Sequence, residues 1–332
     1  MLVFMFRVYN AYMLGWISPT IKFFVISYLA IRLLKFLFIL VKSFCIHCLT
    51  PIHNLDYLKD SWTVITGGTD GIGLAYLTEL AQSRGLKKFY LIGRSEKKLQ
   101  SVAASLKEKH KAEVRYTVFD FESTDYSTLN NELKNLDVGI LVNCAGIAPT
   151  TVGTLAEQEP GLASKILQVN LMSNIKLTEI ILPGMVERKR GIIVSFSSIT
   201  GWRPLPYLSS YPASKAAISF FSDSLQDEFR GSGIRIQCLV PSLVATKIAS
   251  YDTSEANGIF VLKAENFAQQ AVRLIGTRWE MITGCVQHDM LIALAQLLSP
   301  WLLKNIFVPL VMLKIHKQRV QEYQEKLKNK SE

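Results

Sequence analysis

The segment "SSYPASKAAISFF", residues 209–221, places a phenol and an amine one helical turn apart. Tyr211 precedes Lys215 by four residues, and side chains at that spacing lie on the same face of a helix. The pKa of a free tyrosine is near 10, too high for ready proton exchange at neutral pH. A lysine charge about 4 Å away would stabilise the phenolate by up to about 4 kcal/mol at an effective dielectric near 20. We therefore expect Lys215 to bring the pKa of Tyr211 near working pH, which makes the phenol a usable acid.

Apolar strand-like runs that alternate with helical patterns surround this pair. The pair alone is weak evidence, because a chain with twelve tyrosines contains Tyr-x-x-x-Lys about once by chance. Helix-period segments such as 73–84 and 96–109 are long enough to cross over and restore a parallel strand. We predict an α/β fold, a doubly wound parallel seven-stranded Rossmann sheet with helices on both faces. The predicted strands are "WTVIT", "KKFYLIG", "VRYTVFDF", "VGILVNCAG", "GIIVSFSS", "IRIQCLVP" and "MITGCVQH".

A glycine-rich turn, "GGTDGIG", joins the first predicted strand to its helix. Glycines there allow a sharp turn, close approach of a phosphate and tight packing of helix on strand. The amides at the start of the helix then face a pyrophosphate. The spacing is Gly-x-x-x-Gly-x-Gly, and its place between strand and helix favours a dinucleotide site over a purely structural turn. The predicted contacts are Thr66, Gly67, Gly71, Ile72 and Gly73.

The end of the second strand indicates which dinucleotide binds. An NAD site has Asp or Glu about 20 residues after the glycines, but "LIGRS" places Arg94 there, with Lys97 and Lys98 nearby. The planar fork of arginine pairs with a 2′-phosphate through two hydrogen bonds. We therefore predict NADP(H), with an ordinary surface arginine as the alternative. Asp120, after the third strand, is a candidate contact for the adenine, with a helix cap or turn residue as the alternative.

Five motifs in consistent order, from about Trp62 to His288, resemble the short-chain dehydrogenase/reductase family. They are "TGGTDGIG", "NCAG", "VNLMS", "SFSSITG" and "YPASK". The resemblance implies a catalytic tetrad of Asn170, Ser198, Tyr211 and Lys215. In the predicted reduction, hydride passes from the nicotinamide to a carbonyl carbon while Tyr211 protonates the oxygen and Ser198 donates a hydrogen bond to that oxygen. Ser198 and Tyr211 are thus the predicted substrate contacts, and the resemblance further implies that Lys215 binds the nicotinamide ribose and Asn170 a proton-supplying water.

The remaining predicted cofactor contacts follow the fourth and sixth strands. Asn143, Ala145 and Gly146 end the fourth strand at the carboxyl edge of the sheet, where ligands of such folds bind. After the sixth strand, "VPSLVATKIA" has Ser242 where the family usually has glycine. By resemblance, Val244 and Thr246 flank the nicotinamide amide. We predict a lid at 242–266, and an apolar pocket wall formed by Trp202, Pro204, Leu205 and Tyr207.

The N-terminal apolar run predicts membrane attachment. "FFVISYLAIRLLKFLFILV", residues 23–41, is long enough to cross a bilayer. Arg32 and Lys35 would each cost about 2.5 to 3.5 kcal/mol at mid-membrane, so a helix lying in the interface competes with a span. A cleaved signal peptide is disfavoured, because no charged leader precedes the run and no convincing small-residue cleavage site ends it.

A second apolar block at 291–315 predicts an in-plane or re-entrant element, because Pro300, Lys304 and Pro309 interrupt it. We divide the chain into a hydrophobic membrane anchor at 1–55, an NADP-binding oxidoreductase domain at 56–290, and an apolar membrane-associated segment with a basic tail at 291–332. The closing "KNKSE" resembles a dilysine retrieval signal, read on a cytosolic tail, with an ordinary charged terminus as the alternative.

Composition excludes several other classes. The 332 residues, 49% of them hydrophobic, suffice for one sizeable domain with apolar ends. The net charge is +10, but the basic residues are not concentrated beside aromatic platforms in a nucleic-acid module, and many lie next to those apolar ends. We therefore predict membrane lipid and no nucleic acid as a partner. Five cysteines form no secreted-type framework, which favours a cytosol-facing domain. "CIHC" is half a zinc site without its second half, so no metal is expected.

Within the family, "TDGIG", "LPGMVERK", "VATK" and "ITG" are similar to a branch of very-long-chain 3-oxoacyl-CoA reductases and 17β-hydroxysteroid dehydrogenases of the endoplasmic reticulum membrane. The resemblance implies an NADPH-dependent reductase of a lipophilic carbonyl, foremost 3-oxoacyl-CoA in fatty-acid elongation. A steroid or retinoid dehydrogenase is the alternative, followed by a catalytically silent NADP-binding adaptor. The resemblance also implies a homodimer formed by the helices that carry Asn170 and Tyr211.

Overall fold

Seven parallel strands form one sheet in the computed structural model, which describes residues 2–202 and 205–331. The strand order is β3-β2-β1-β4-β5-β6-β7. The strands are β1 (Trp62–Thr66), β2 (Lys88–Gly93), β3 (Glu113–Val118), β4 (Val138–Asn143), β5 (Gly191–Phe196), β6 (Ile234–Leu239) and β7 (Met281–Ile282). The order reverses between β1 and β4, which is the switch point where open α/β sheets bind ligands. The predicted doubly wound, seven-stranded parallel sheet is confirmed.

Helices cover both faces of the sheet, and further helices precede β1 and follow β7 along the chain. They are α1 (Leu2–Phe44), α2 (Gly71–Ser83), α3 (Glu96–His110), α4 (Ser127–Leu133), α5 (Leu162–Leu167), α6 (Ser173–Arg188), α7 (Ser210–Glu228), α8 (Ala264–Arg273), α9 (Val286–Leu297), α10 (Pro300–Leu302) and α11 (Leu313–Ser331). π-Helical segments follow α1, join α5 to α6, and join α10 to α11, at Cys45–Leu49, Gln168–Met172 and Leu303–Met312. The two helices predicted at 73–84 and 96–109 are therefore confirmed to within two residues.

Two apolar layers hold the sheet, one on each face. Alternate side chains of a strand point to opposite faces, so Ile65 packs with α2, α3 and α8, whereas its neighbour Val64 packs with α4, α6 and α7. Both side chains are 0% exposed, as are Leu91 and Ile92 of β2. Burial on both faces explains why these strands read as continuous apolar runs in the sequence.

The apolar N-terminal helix α1 packs along α9. The stretch Ser18–Leu49, which comprises most of α1 and the π-helical turn after it, is long and apolar enough to cross a membrane, with a mean hydropathy of 2.3. The guanidinium of Arg32 is buried and donates to the carbonyl oxygen of Leu298, at the carboxyl end of α9. A cation at that end of a helix meets its unpaired carbonyls and the negative end of its dipole. Arg32 therefore faces protein, and much of its predicted cost at mid-membrane is removed.

The second apolar block is bent, as its prolines predicted. The helices Val286–Leu297 and Pro300–Lys326 meet at 106°, and together they have the length and composition of a broken span or a re-entrant element. α9 begins before the predicted boundary at residue 290 and runs through it.

The basic tail forms α11 and packs on the predicted lid. This loop contains one 3₁₀ turn, Thr253–Glu255, and ends where α8 begins at Ala264. The carboxylate of Glu255 accepts from Arg319 and Lys326, each at 2.7 Å. The guanidinium of Arg319 also lies 3.9 Å from the centroid of the Tyr251 ring. The tail therefore holds the loop through a cluster of charges.

Breaking this cluster is expected to loosen the loop while the sheet keeps its stability. Glu255→Gln removes the charge that attracts Arg319 and Lys326, and partly exposed ion pairs contribute about 1 kcal/mol together. Hydrogen exchange of the loop 246–262 should then be about three- to tenfold faster, because local opening becomes easier. Exchange monitored by mass spectrometry measures the change. Glu179→Gln, which breaks an exposed pair with Lys176 on α6, is the control. Unchanged protection of the loop in Glu255→Gln would contradict the clamp.

Candidate active site

A cleft of about 450 Å³ lies at the carboxyl edge of the sheet, across the switch point between β1 and β4. Predicted site residues line it from seven segments of the chain. From the first half these are Gly67, Gly71, Ile72, Gly73, Arg94, Asp120, Ala145 and Gly146, and from the second half Ser198, Tyr211, Lys215, Val244 and Thr246. The cleft therefore brings together residues that are up to 179 positions apart, from Gly67 to Thr246.

The glycine turn between β1 and α2 requires glycine at two positions. Gly67 has φ +66°, and a Cβ there would lie 2.8 Å from the carbonyl oxygen of Cys144. A Cβ on Gly73 would lie 2.3 Å from the carbonyl oxygen of Gly67. The backbone of this turn is thus tightly packed on its protein side and open toward the cleft. The first residues of α2 form the floor of the cleft here. This cradle fits a dinucleotide pyrophosphate, which needs bare backbone amides within reach.

Asp70 occupies the N-cap of α2 and is surrounded by two lysines. Its carboxylate accepts from Gly71 N at 3.0 Å, from Lys98 Nζ at 3.1 Å and from Lys247 Nζ at 2.7 Å. Burial opposes its ionisation, but the hydrogen bonds from Lys247 and Lys98 prevail and hold the pKa of Asp70 below its usual range. All three residues line the cleft. Sequence reasoning missed Asp70 and Lys247, although an Asp directly before a helix is an N-cap signal.

The residues predicted to recognise the adenosine half lie together at one end of the cleft. Arg94 and Lys98 line it, whereas Lys97 does not. The Arg94 guanidinium lies 3.4 Å from the Glu122 carboxylate and remains more than half exposed, so it is available to a second anion. Asp120 also lines the cleft, and its carboxylate accepts from Glu122 N at 3.1 Å. Asp120 therefore stabilises a turn, which was the alternative to an adenine contact, and it also lines the cleft.

Thr66, Asn143 and Asn170 do not line the cleft but support its wall. Thr66 Oγ1 accepts from the amides of Cys144 and Ala145, at 3.1 and 3.0 Å. Asn143 is buried beneath them, and its amide donates to Asn174 Oδ1 at 3.3 Å. Thr66 and Asn143 thus lie behind the cleft wall, where their side chains hydrogen-bond to protein groups, and their direct contact with the cofactor stays a prediction.

Asn170 lies in the π-helical turn Gln168–Met172 and is 1% exposed. Its Oδ1 accepts from Ile147 N at 2.8 Å, and its Nδ2 donates to Ile147 O at 3.0 Å and Ser214 Oγ at 3.1 Å. A Cβ on Gly146 would lie 3.4 Å from Asn170 Oδ1 and 3.7 Å from Lys215 Nζ. The π-turn thus brings Asn170 next to Lys215, as turns of this kind often do at functional sites.

Tyr211, Lys215 and Ser198 meet at the other end of the cleft. The Lys215 amine lies 5.7 Å from the centroid of the Tyr211 ring and donates to Phe196 O at 2.8 Å. Ser198 lies beside the Tyr211 hydroxyl, and its Oγ accepts from Thr200 Oγ1 at 3.0 Å. Lys215 is 6% exposed, whereas Tyr211 forms part of the cleft surface. The predicted pairing of phenol and amine on one face of a helix is present in α7.

The predicted direction of the Tyr211 pKa is wrong. Burial raises the pKa of Tyr211 to about 12, and the neighbouring Ser198 hydroxyl acts against this rise. Burial also lowers the pKa of Lys215 to about 8. The lysine lies against the ring face and is directed to the Phe196 carbonyl, so desolvation of the phenolate outweighs its attraction to the amine. The phenol is consequently neutral at pH 7, and the buried amine still carries its proton.

The sequence matches the short chain dehydrogenase family over residues 61–257, which is more than half of the chain. The chain belongs to the short-chain dehydrogenase/reductase family. As a member of this family it is an oxidoreductase that acts on CH–OH or carbonyl groups. The resemblance inferred from five short motifs is therefore confirmed, and the match spans β1 to the loop after β6.

Relatives within this family cover most of the chain. A Caenorhabditis elegans protein named uncharacterized oxidoreductase dhs-27 is 44% identical over 323 residues, covering 93% of this chain and 39% of that protein. The Mus musculus very-long-chain 3-oxoacyl-CoA reductase is 35% identical over 287 residues, covering 85% of this chain and 89% of the relative. A solved structure, a short-chain dehydrogenase from Sphingobium yanoikuyae in complex with NADPH, aligns with a TM-score of 0.62 at 25% identity, covering 74% of this chain and 96% of the other.

Two further observations concern the end of the cleft that holds Ser198 and Tyr211. Ser197, which the sequence reading passed over for Ser198, lines the cleft and donates to the carbonyl oxygen of Lys215 at 2.6 Å. Trp202 and Tyr207, predicted to wall an apolar pocket, are 43% and 48% exposed and are not among the lining residues of the cleft. Pro204 lies outside the described residues. The pocket wall stays a prediction.

Removing the buried charge of Lys215 is expected to stabilise the fold. A lysine pKa of about 8, below its ordinary 10.5, means that the unfolded chain holds this proton more tightly than the folded protein. The resulting penalty is complete below pH 8 and fades as the pH rises to 10.5. Lys215→Met should raise the free energy of unfolding at pH 7 by about 2 kcal/mol after loss of its hydrogen bond, and by less at pH 10. Urea unfolding at both pH values measures the difference.

The exposed Lys176→Met serves as the control for this experiment, because no buried charge is removed there. A Lys215→Met protein that is less stable than the wild type at pH 7, or that gains equally at both pH values, would contradict a buried and strained lysine charge.

Proposed function

We propose that the protein is an NADP(H)-dependent reductase that converts 3-oxoacyl-CoA into 3-hydroxyacyl-CoA in fatty-acid elongation. One observation carries the proposal: a single cleft holds Ser198, Tyr211 and Lys215 at one end and Arg94 and Lys98 at the other, with the glycine cradle between. Reactive side chains at one end and cations at the other suit a molecule with a reactive ring and a phosphorylated ribose. The NADPH in the Sphingobium structure supports the choice of cofactor.

In the proposed reaction, bound NADPH supplies the hydride to the substrate carbonyl. Tyr211 donates its proton to the carbonyl oxygen, and Ser198 offers that oxygen a hydrogen bond. The charge of Lys215 has little to attract in the neutral phenol, but it attracts the phenolate that forms as the proton leaves. Because the surroundings are buried, this attraction is stronger than it would be in water. The stabilisation thus grows during the reaction, which is what lowers a barrier.

The state of Tyr211 supports reduction as the working direction. A phenol with a pKa of about 12 is protonated at neutral pH and is ready to act as an acid. An alkoxide is a stronger base than a phenolate, so the proton transfer remains downhill. Oxidation would require the same phenol to ionise first, at the full cost of its burial.

The lid supports a lipophilic substrate. Leu243, Ile248, Ile259 and Phe260 are all at least 40% exposed, although large apolar side chains usually avoid water in such numbers. An acyl chain that enters the cleft beneath the lid would cover them. A steroid ketone also suits apolar surroundings, and the acyl thioester is preferred because of the mouse relative's name.

The proposed setting is the endoplasmic reticulum membrane, with the catalytic domain in the cytosol. In this proposal residues 1–55 form the anchor, 56–290 the oxidoreductase domain, and 291–332 the membrane-associated segment with its tail. The apolar α1 and the bent helices after β7 support attachment. The side chains of Lys328 and Lys330 in the proposed retrieval signal lie outside the described part of the chain.

We also propose a homodimer that pairs the helices carrying Asn170 and Tyr211. Phe220 on α7 is 76% exposed, and Leu167 and Val186 on α5 and α6 are exposed by 37% and 41%. A second copy of the chain would cover these apolar side chains, which are costly to leave in water.

The test is to supply the purified protein with NADPH and either a long-chain 3-oxoacyl-CoA or a 17-oxosteroid. We expect NADPH oxidation with the acyl-CoA, slower turnover with NADH, and a fall in kcat of about 10³-fold in Tyr211→Phe, because the proton donor is lost. Tyr126→Phe, which removes a buried hydroxyl away from the cleft, should retain activity. If only the steroid is turned over, a steroid ketone replaces the acyl-CoA as the proposed substrate. Undiminished turnover in Tyr211→Phe would remove Tyr211 from the mechanism.

A further inference from the structure

The imidazole of His288, in the first turn of α9, contacts the backbone of two consecutive residues in the loop after β6. Its Nδ1 accepts from Ser242 N at 3.2 Å, and its Nε2 lies 3.3 Å from Leu243 O. The amide can only donate and the carbonyl can only accept, so the ring is neutral and carries its proton on Nε2. The ring is 0% exposed, and it packs against the Phe267 ring at a tilt of 34°, with 5.7 Å between the ring centroids.

The bridged loop forms the wall of the cleft at its catalytic end. Pro241 and Ser242 line the cleft, and Pro241 O accepts from Ile199 N at 3.0 Å, in the turn that follows Ser198. Leu243 O accepts a second hydrogen bond, from Leu262 N at 3.1 Å, where the lid returns to the domain. His288 therefore holds the beginning of the lid and the cleft wall from behind, and it does not touch the cleft.

The next residue, Asp289, connects the same turn of α9 to the N-terminal apolar segment. Its carboxylate lies 3.1 Å from His47 Nε2, in the π-helical turn that follows α1, and accepts from Thr283 Oγ1 at 2.7 Å. Arg273 donates to His47 O at 2.9 Å and fixes the π-helical turn to α8. The start of α9 is thus fastened on one side to the anchor and on the other to the loop.

We propose that His288 is a positioning residue. It fixes the backbone of Ser242 and Leu243 in the position that the cleft wall needs in order to bind the nicotinamide end of the dinucleotide. The proposal rests on the proposed cofactor site and adds a residue outside it. An imidazole suits this task because one rigid ring provides an acceptor and a donor at fixed separation. The contact between Asp289 and His47 also connects the anchor to this part of the cleft wall.

The variants separate positioning from mere stability. His288→Leu keeps the apolar volume and leaves the Ser242 amide without its partner. His288→Asn retains an acceptor near the position of Nδ1 but does not reach Leu243 O. Leu129→Ala, in the opposite layer of the sheet, removes a fully buried side chain and lowers stability without touching the loop.

Three measurements on the full chain in detergent decide the question. In His288→Leu, hydrogen exchange of the peptide covering 242–245 should be about tenfold faster, and the Kd for NADPH about tenfold higher, which corresponds to one lost hydrogen bond. The Kd for adenosine 2′,5′-bisphosphate, which reports only the adenosine half, should change less than about twofold. The kcat for the acyl-CoA should fall about tenfold, with His288→Asn between this variant and the wild type.

A purely structural role predicts a different pattern. His288→Leu and Leu129→Ala would then lower the Tm alike and leave exchange at 242–245, NADPH affinity and kcat of the folded protein at wild-type values, which would overturn the proposal. Equal weakening of NADPH and of the bisphosphate would overturn it as well. Failure of wild-type protein to reduce the acyl-CoA would count against the proposed function alone, because the exchange and binding measurements still decide the role of His288.

Discussion

The burial of Lys215 beneath the catalytic end of the cleft is the constraint on which the rest of the site depends. A lysine charge enclosed by β5, α7 and Gly146 is costly, and its pKa falls to about 8 as a result. The same enclosure keeps Tyr211 neutral, with a pKa of about 12. The two groups attract each other weakly at rest and strongly once the phenol gives up its proton. In the proposed mechanism, the fold therefore holds an electrostatic cost in the ground state, which the proton transfer relieves.

Several parts of the chain maintain this enclosure without reacting. The π-helical turn around Asn170 closes it on one side, and the 3₁₀ turn after Ser198 closes it on another, where a Cβ on Gly201 would lie 2.7 Å from the Lys215 carbonyl carbon. His288 supports the cleft wall after β6, and α11 holds the lid through Glu255. The segments at both ends of the chain thus support the cleft, so the proposed membrane anchor and the proposed catalytic site share the same packing.

Features that depend on neighbours along the chain were predictable, and those that depend on distant partners were not. Strands buried on both faces read as apolar runs, and the glycines at 67 and 73 are required by a local turn, so both were predicted correctly. The pair of Asp70 and Lys247 joins residues 177 positions apart, and Arg32 meets a carbonyl 266 positions away. The pKa of Tyr211 was predicted in the wrong direction because spacing along a helix indicates proximity to Lys215 but gives no measure of burial.

The most direct test of a buried, neutral phenol is its titration. Protein labelled with ¹³Cζ-tyrosine, in the absence of dinucleotide, gives an NMR signal for Tyr211 that is identified by its loss in Tyr211→Phe. The account predicts that this signal keeps the chemical shift of a protonated phenol up to about pH 11, one unit below the pKa of about 12. A titration midpoint below about pH 9 would contradict it, because Lys215 would then lower the pKa of the resting phenol despite burial.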